Sequence, residues 1–242
     1  MSIIAIVQAR MGSTRLPGKV LKDLAGKPML LRVLERVSAA SAVQKVVVAI
    51  PDLPESNVLE KFCASAGYSC FKGSEQDLLD RYYRTAVAHC ADTVVRITAD
   101  CPLVDPGVID LVVQRYLQCP SILKYASNIH PTRTFPRGLD TEVFGFDTLE
   151  SAWRSDRNPA WREHVTPFIY RHPEKYEIIG VTNPEDYSMY RLTVDTNEDF
   201  QLIELLYQWF KEQPFGWMDV VNLLRERPDW SRMNSSVEQK VV

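Results

Sequence analysis

The sequence predicts an α/β fold, a mostly parallel sheet flanked by helices. Three observations carry that expectation. Short runs rich in Ile and Val alternate with helix-length amphipathic segments through the first half of the chain, the pattern of βαβ units. Each run is followed by polar or glycine-bearing residues, and the loop after the first run gathers two glycines and three cations at the expected carboxyl end of a strand. That edge is where open α/β sheets bind ligands. With 242 residues, 45% of them apolar and 24% charged, and a mean hydropathy of −0.18, the chain can fill a sizeable core.

Residues 2–8 read as a buried first strand. A helix follows over 28–40, with proline in its first turn and Leu30, Leu31, Val33, Leu34 and Val37 at core-facing spacings. Strand 45–50, helix 55–66, strand 69–72, helix 77–90, strand 93–98 and helix 106–118 continue the alternation. From 119 to 189 the rhythm changes. Pro120, Pro131, Pro136, Pro159 and Pro167 punctuate strand-like pieces at 141–146 and 177–181, so this stretch is expected as an irregular insertion, a lid or oligomerisation arm. Residues 190–194 return to a strand pattern, 198–211 form a helix with Leu202, Leu205 and Leu206 along one side, and a last helix lies near 218–225. A polar tail starts at Ser231. Without an internal repeat or low-complexity linker, residues 1–232 read as one domain and 233–242 as a mobile tail.

Composition excludes several classes. Twenty-eight basic against 31 acidic residues leave a net charge of −3, which offers no overall field for nucleic acid or an anionic membrane. No run approaches the roughly 18 apolar residues of a membrane helix. The start of the chain lacks a basic segment ahead of its apolar run, so a cytoplasmic location is expected. Five scattered cysteines, Cys63, Cys70, Cys90, Cys101 and Cys119, never fall in a C-x-x-C spacing; reduced, mostly buried thiols are expected.

The loop Gln8-Ala9-Arg10-Met11-Gly12-Ser13-Thr14-Arg15-Leu16-Pro17-Gly18-Lys19 suits a nucleoside triphosphate. Glycine lets backbone N–H groups at Gly12 and Ser13 approach a phosphate, while Arg10, Arg15 and Lys19 offset its charge. A P-loop is excluded by counting, because five residues separate Gly12 from Gly18 and Val20 follows Lys19. The plainer alternative is a glycine–proline turn carrying surface arginines. Asp100 and Asp195 each follow a predicted strand, on the same sheet edge as the loop. They are the natural pair for Mg²⁺, which takes one or two carboxylates and fills its remaining positions with phosphate oxygens and water. Their alternative is helix capping, and for Asp195 the Glu198 three residues on suggests a capping box.

This loop resembles the signature of sugar nucleotidyltransferases of the cytidylyltransferase type, which activate acidic sugars such as Kdo and sialic acids. The resemblance is nearest to the spore coat polysaccharide biosynthesis protein F branch. It extends through Gly73-Ser74-Glu75-Gln76-Asp77-Leu78-Leu79-Asp80-Arg81-Tyr82, Arg96-Ile97-Thr98-Ala99-Asp100-Cys101-Pro102-Leu103 and Arg191-Leu192-Thr193-Val194-Asp195-Thr196-Asn197-Glu198-Asp199. The resemblance implies a Rossmann-like sheet of the nucleotide-diphospho-sugar transferase type. It also implies transfer of CMP from CTP to a sugar acid with release of pyrophosphate, in surface polysaccharide biosynthesis, by a homodimer. Arg10, Arg15, Lys19 and Asp100 would be catalytic, with Mg²⁺ on Asp100 and Asp195. Ala9, Arg10, Gly12, Ser13, Lys19, Gly73, Asp77, Arg81 and Thr98 would line the nucleotide.

The acceptor side is expected in the insertion. In Phe135-Pro136-Arg137-Gly138-Leu139-Asp140-Thr141-Glu142, Arg137 has the two-pronged donor a sugar carboxylate needs, and Asp140 or Glu142 can accept sugar hydroxyls. Glu163 and His164 join them by resemblance, His164 having a structural role as its alternative. Two neighbouring readings stay open: a nucleotidyltransferase with another triphosphate or acceptor, and a nucleotide-sugar glycosyltransferase. The latter typically carries Asp-x-Asp, and Asp100-Cys101-Pro102 lacks the second acid.

Overall fold

The computed structural model describes residues 1–211 and 213–238. The chain opens with β1 (Ile3–Gln8), passes through the loop and a 3-10 turn at Lys19–Leu21, and makes a small hairpin, β2 (Asp23–Leu24) with β3 (Lys27–Pro28). Helix α1 (Met29–Ser38) starts one residue after Pro28, which belongs to the hairpin rather than to the helix's first turn. Then come β4 (Lys45–Pro51), a 3-10 turn at Pro54–Ser56, α2 (Asn57–Ser65), β5 (Ser69–Gly73), α3 (Leu78–Ala88), β6 (Thr93–Thr98) and α4 (Pro106–Gln118). Apart from shortened helix ends, this is the expected alternation.

The stretch 119–189 is more regular than its prolines suggest. It supplies β7 (Lys124–Ser127), β8 (Glu142–Gly145) and, after α5 (Phe146–Ser155), α6 (Pro159–Arg162) and α7 (Pro167–Tyr170), the strand β9 (Glu177–Gly180). All three strands join the main sheet, whose order is β5-β4-β1-β6-β8-β7-β9. Pairing is parallel except on both sides of β8, which runs antiparallel to β6 and β7. The chain closes with α8 (Asn197–Phe210), α9 (Trp217–Glu226) and α10 (Pro228–Ser231).

Residues 190–194 do not form the expected strand. Their backbone bonds go to loops instead: Arg137 N–H donates to Tyr190 O, Leu192 N–H to Arg137 O, and Val194 N–H to Asp100 O, leaving only an isolated bridge between Arg137 and Arg191. The apolar alternation is real, since Leu192 and Val194 are fully buried, but among the described residues no strand pairs with it.

β1 is buried on both faces, and its alternation assigns one side to each core. Ala5 and Val7 pack with α1, α4, α8 and α9, whereas Ile4 and Ile6 pack with α3 and α5. Starting from β1, the chain builds outward through β4 and β5, then crosses back to β6 on the other side. The crevice at such a reversal, outside the carboxyl ends of β1 and β6, is where an α/β sheet receives its ligand. Residues 231–236, read as the start of a tail, stay close to the body: Met233 packs on the core and Asn234 is buried. The last part of the expected tail, 239–242, lies outside the described residues.

Candidate active site

The loop after β1 folds back on itself. Ser13 and Gly18 N–H groups both donate to Met11 O, and Ser13 Oγ accepts from Leu16 N–H at 3.3 Å. Gly18 takes a left-handed conformation, φ 68°, which turns the chain into the 3-10 segment and sends Lys19 inward. Lys19 ends among three acceptors: Val194 O at 2.6 Å, Asp195 Oδ1 at 3.0 Å and Asp100 Oδ2 at 3.3 Å. Burial on its own lowers the proton affinity of this amine. The two carboxylates outweigh it, so Lys19 titrates above its ordinary value and is an ammonium.

The two acids are held rigidly. Thr98 Oγ donates to Asp100 Oδ1 at 2.6 Å, and Thr193 Oγ donates to Asp100 O at 3.0 Å. Asp195 Oδ2 receives Arg15 at 3.0 Å and Arg191 at 2.8 Å. Burial pushes the Asp195 carboxyl up, but Lys19, Arg191 and Arg15 together hold it below the usual range. The cap of α8 is Thr196 with Asp199 as its reciprocal partner, not Asp195 with Glu198. Capping therefore leaves the Asp195 side chain free to face the loop.

Asp199, absent from the expectation, organises this corner. Fully buried, it accepts from Arg191 Nε at 2.8 Å, from the N–H groups of Asp195 and Thr196, and from Asn234 Nδ2 at 2.8 Å. In the sequence it is marked by the i+3 spacing from Thr196 and by its place at the end of the fourth motif, neither of which shows its partners.

The remaining expected nucleotide residues divide by what they already hold. Gly12 is exposed with open space beside its α-carbon, and Arg10 makes no ion pair among the described residues. Ala9 is buried, its N–H given to Ala49 O. Gly73 leaves room for Arg81, whose Cγ lies 3.0 Å from where a Cβ would stand. Arg81 is buried, bonded to Ser74 O at 3.0 Å, with its Nε unpartnered. Burial first, then the guanidinium of Arg10, pull its pKa down to about 10. Asp77 caps α3 and also pairs with Arg162 at 2.8 Å. Thr98 spends its hydroxyl on Asp100, so its place is behind the carboxylate.

On the acceptor side the structure regroups the candidates. Glu142 is buried and fully engaged: Arg96 pairs with it, and the hydroxyls of Tyr125 and Thr166 each donate to Oε1 at 2.6 Å. It anchors α7 to the sheet and has no free face for a sugar hydroxyl. Gly138 is a packing glycine, with φ 99° and a hypothetical Cβ 2.5 Å from the Leu192 carbonyl carbon. Asp140 is gripped by both terminal nitrogens of Arg133, at 2.5 and 2.9 Å. Arg137 lines a cavity of about 290 Å³ with Arg232, Asn234 and Arg191, the last of which pairs with Asp195. Glu163 is exposed at the end of α6, while His164 is half-buried within reach of the fields of Arg96 and Arg10. Between His164 and Thr166, Val165 is buried at φ 71°, a costly conformation for a β-branched residue. His130 stacks on Tyr170 at 4.0 Å, and burial first, against the opposing charge of Glu142, holds its imidazole below the usual value; neither ring had a motif to mark it.

Of the thiols, Cys63 and Cys101 are buried, Cys70 and Cys119 half-buried and Cys90 exposed, and all five are free. Among the described residues no helix is long and apolar enough to cross a membrane, and no group of three or more His, Cys, Asp or Glu side chains is gathered for a metal.

A basic loop faces two carboxylates at the switch point of a mostly parallel sheet, and the chain is a nucleotidyltransferase. It belongs to the cytidylyltransferase family, whose sequence model matches residues 4–226. The spore coat polysaccharide biosynthesis protein SpsF of Bacillus subtilis is 35% identical over 235 residues, covering 94% of this chain and 95% of its own. The 3-deoxy-manno-octulosonate cytidylyltransferase of Trichlorobacter lovleyi is 37% identical over 123 residues, 50% of this chain and 48% of its own. A cytidylyltransferase structure from Leptospira borgpetersenii superposes with a TM-score of 0.91 at 33% identity, covering 100% of this chain and 99% of that one. The family resemblance of the four motifs is thereby borne out.

Proposed function

We propose that the protein transfers CMP from CTP to a hydroxyl of a sugar acid and releases pyrophosphate, in the making of a surface polysaccharide. The observation that carries this reading is the convergence of Lys19 on Asp100 and Asp195, which brings the triphosphate loop and the acidic pair to one point. The names of the relatives supply the rest: one acts in coat polysaccharide synthesis, the other activates an acidic sugar.

Arg10, Arg15 and Lys19 gather the triphosphate, and the open backbone at Gly12 admits its oxygens closely. Arg81, a buried guanidinium without a carboxylate partner among the described residues, is assigned to the base or ribose side of the nucleotide, where its buried charge favours acceptor atoms. Asp100 and Asp195 fit Mg²⁺, since a single cation already touches both and phosphate oxygens complete the shell that two carboxylates leave open. Held by Asp100 and Asp195, such an ion would supply charge neutralisation at the α-phosphate for in-line attack by the sugar hydroxyl. Positioning by the loop and the insertion does the remainder. Asp140, Glu163 and His164 are kept as acceptor contacts, with Arg133, His130 and Tyr170 beside them; Glu142 and Gly138 support the site from within.

Thermal stabilisation by CTP, UTP, ATP and GTP, each with and without Mg²⁺, tests this reading without knowledge of the acceptor. A CTP-selective, Mg²⁺-dependent rise in melting temperature is expected. Selectivity for another triphosphate would discard the cytidine assignment.

A further inference from the structure

We propose that Lys19 is a placeholder cation: its ammonium occupies the point between Asp100 and Asp195 that a divalent metal takes, and it leaves only when a triphosphate arrives to receive it. This rests on the proposed role of those two acids as metal ligands.

The parking place is built, not incidental. The three N–H bonds of the ammonium meet three acceptors, one of them the Val194 carbonyl, whose own peptide is fixed by the 2.8 Å bond from Val194 N–H to Asp100 O. Every carboxylate oxygen of the pair is already taken. Asp100 uses Oδ2 for Lys19 and Oδ1 for Thr98, while Asp195 uses Oδ1 for Lys19 and Oδ2 for Arg15 and Arg191. With Asp199 included, three cations face three carboxylates and the cluster is neutral.

A divalent ion arriving alone adds two charges to this neutral cluster and must expel a buried ammonium that has no anion to go to. Arrival with a nucleoside triphosphate changes both sides of the exchange. The phosphates bring more negative charge than the metal brings positive, and their oxygens accept the ammonium of Lys19 and the guanidinium of Arg15. The metal then takes the vacated carboxylates. Metal and nucleotide are thereby coupled, and each strengthens the other's binding by the same factor.

The test is titration of Mn²⁺, read by the free-ion electron paramagnetic resonance signal, into nucleotide-free wild-type protein and the Lys19→Met and Lys19→Arg variants. Lys19→Met keeps the length of the stem and removes the charge. It is expected to bind Mn²⁺ more tightly than wild type by roughly 5–150-fold, the usual span of a coupling between two sites. Lys19→Arg, still cationic, is expected to bind as weakly as wild type. A Lys19→Met protein that is folded by circular dichroism yet binds Mn²⁺ no more tightly than wild type overturns the proposal. Should that variant not fold, wild type decides: Mn²⁺ alone is expected to leave its melting temperature unchanged, and stabilisation by Mn²⁺ alone equal to that by Mn²⁺ with CTP overturns the proposal. Adding Asp100→Asn to Lys19→Met is expected to abolish the gained affinity. The Mn²⁺ titrations of wild type and the variants use no nucleotide and no acceptor, so they fail or stand apart from the assignment of CTP.

Discussion

Lys19 Nζ and Asp195 Oδ1 lie 3.0 Å apart although 176 positions separate them in sequence. That contact closes the sheet's ligand edge. It ties the loop after the first strand to the turn ahead of α8, and what holds Asp195 in place is the buried Arg191–Asp199–Asn234 group behind it.

The first prediction follows from Asp199. Burial pushes its carboxyl up, and Arg191, the Asp195 N–H and Asn234 outweigh that, leaving it below the usual carboxylate range. A depressed folded value means the stabilisation is present above the unfolded value of about 3.9 and is lost as pH falls through the folded one. Asp199→Asn is expected to lose about 1–3 kcal/mol at neutral pH, the cost of weakened bonds to a charged group. Its melting temperature, followed by circular dichroism, should fall less steeply than that of wild type as pH drops below 4. An unchanged melting temperature at pH 7 contradicts the anchoring role.

The sequence made the parallel half of the sheet legible because β1 and β4 are buried on both faces and read as near-continuous apolar runs, and β6 departs from that pattern only at Arg96 and its terminal threonines. It also placed Lys19 and Asp100 on one edge, since a strand followed by a charged loop fixes where the loop must lie; Asp195 reaches the same edge although the strand expected ahead of it does not form. What it hid depends on contacts rather than pattern. Glu142 looks like any strand-end acid until Arg96, Tyr125 and Thr166 close around it. Arg133 and Arg137 are four positions apart in one loop, and only the fold decides that the former holds Asp140 while the latter lines a cavity beside Arg191. The alternation at 190–194 promised a strand, yet side-chain burial and ladder pairing are separate properties, and loops took its hydrogen bonds.

Glu142→Gln separates a structural from a substrate role. Breaking its buried pair with Arg96 leaves a guanidinium without its counter-charge, a loss of about 3–5 kcal/mol. Urea denaturation is expected to register that loss. A protein of wild-type stability with only a raised acceptor KM would return Glu142 to the binding surface.

Gly138→Ala is expected to cost about 2–4 kcal/mol, because φ 99° is strained for alanine and the added carbon falls 2.5 Å from the Leu192 backbone. Since that backbone leads to Val194 and Asp195, weaker CTP stabilisation should accompany the loss. Denaturation of the variant at the wild-type midpoint contradicts the packing role.

His164 reports on Arg10. Burial lowers its proton affinity, Glu163 opposes this, and Arg96 and Arg10 add to the depression, so the imidazole is neutral at pH 7. Because the unfolded chain binds this proton more readily, stability declines as pH falls below the usual imidazole value of about 6.5 and levels off below the folded value. A bound triphosphate that pairs with Arg10 removes one source of depression, so the His164 titration seen by nuclear magnetic resonance should move upward with CTP. A titration unmoved by saturating CTP takes Arg10 out of the phosphate site.

The most direct measurement is pyrophosphate release from CTP in the presence of Mg²⁺ and a panel of sugar acids, comparing wild type with Asp100→Asn. Wild type should release pyrophosphate only when a suitable acid is present, and Asp100→Asn, with its fold intact, should be slowed by about a hundredfold or more. Release undiminished in the folded variant contradicts the account.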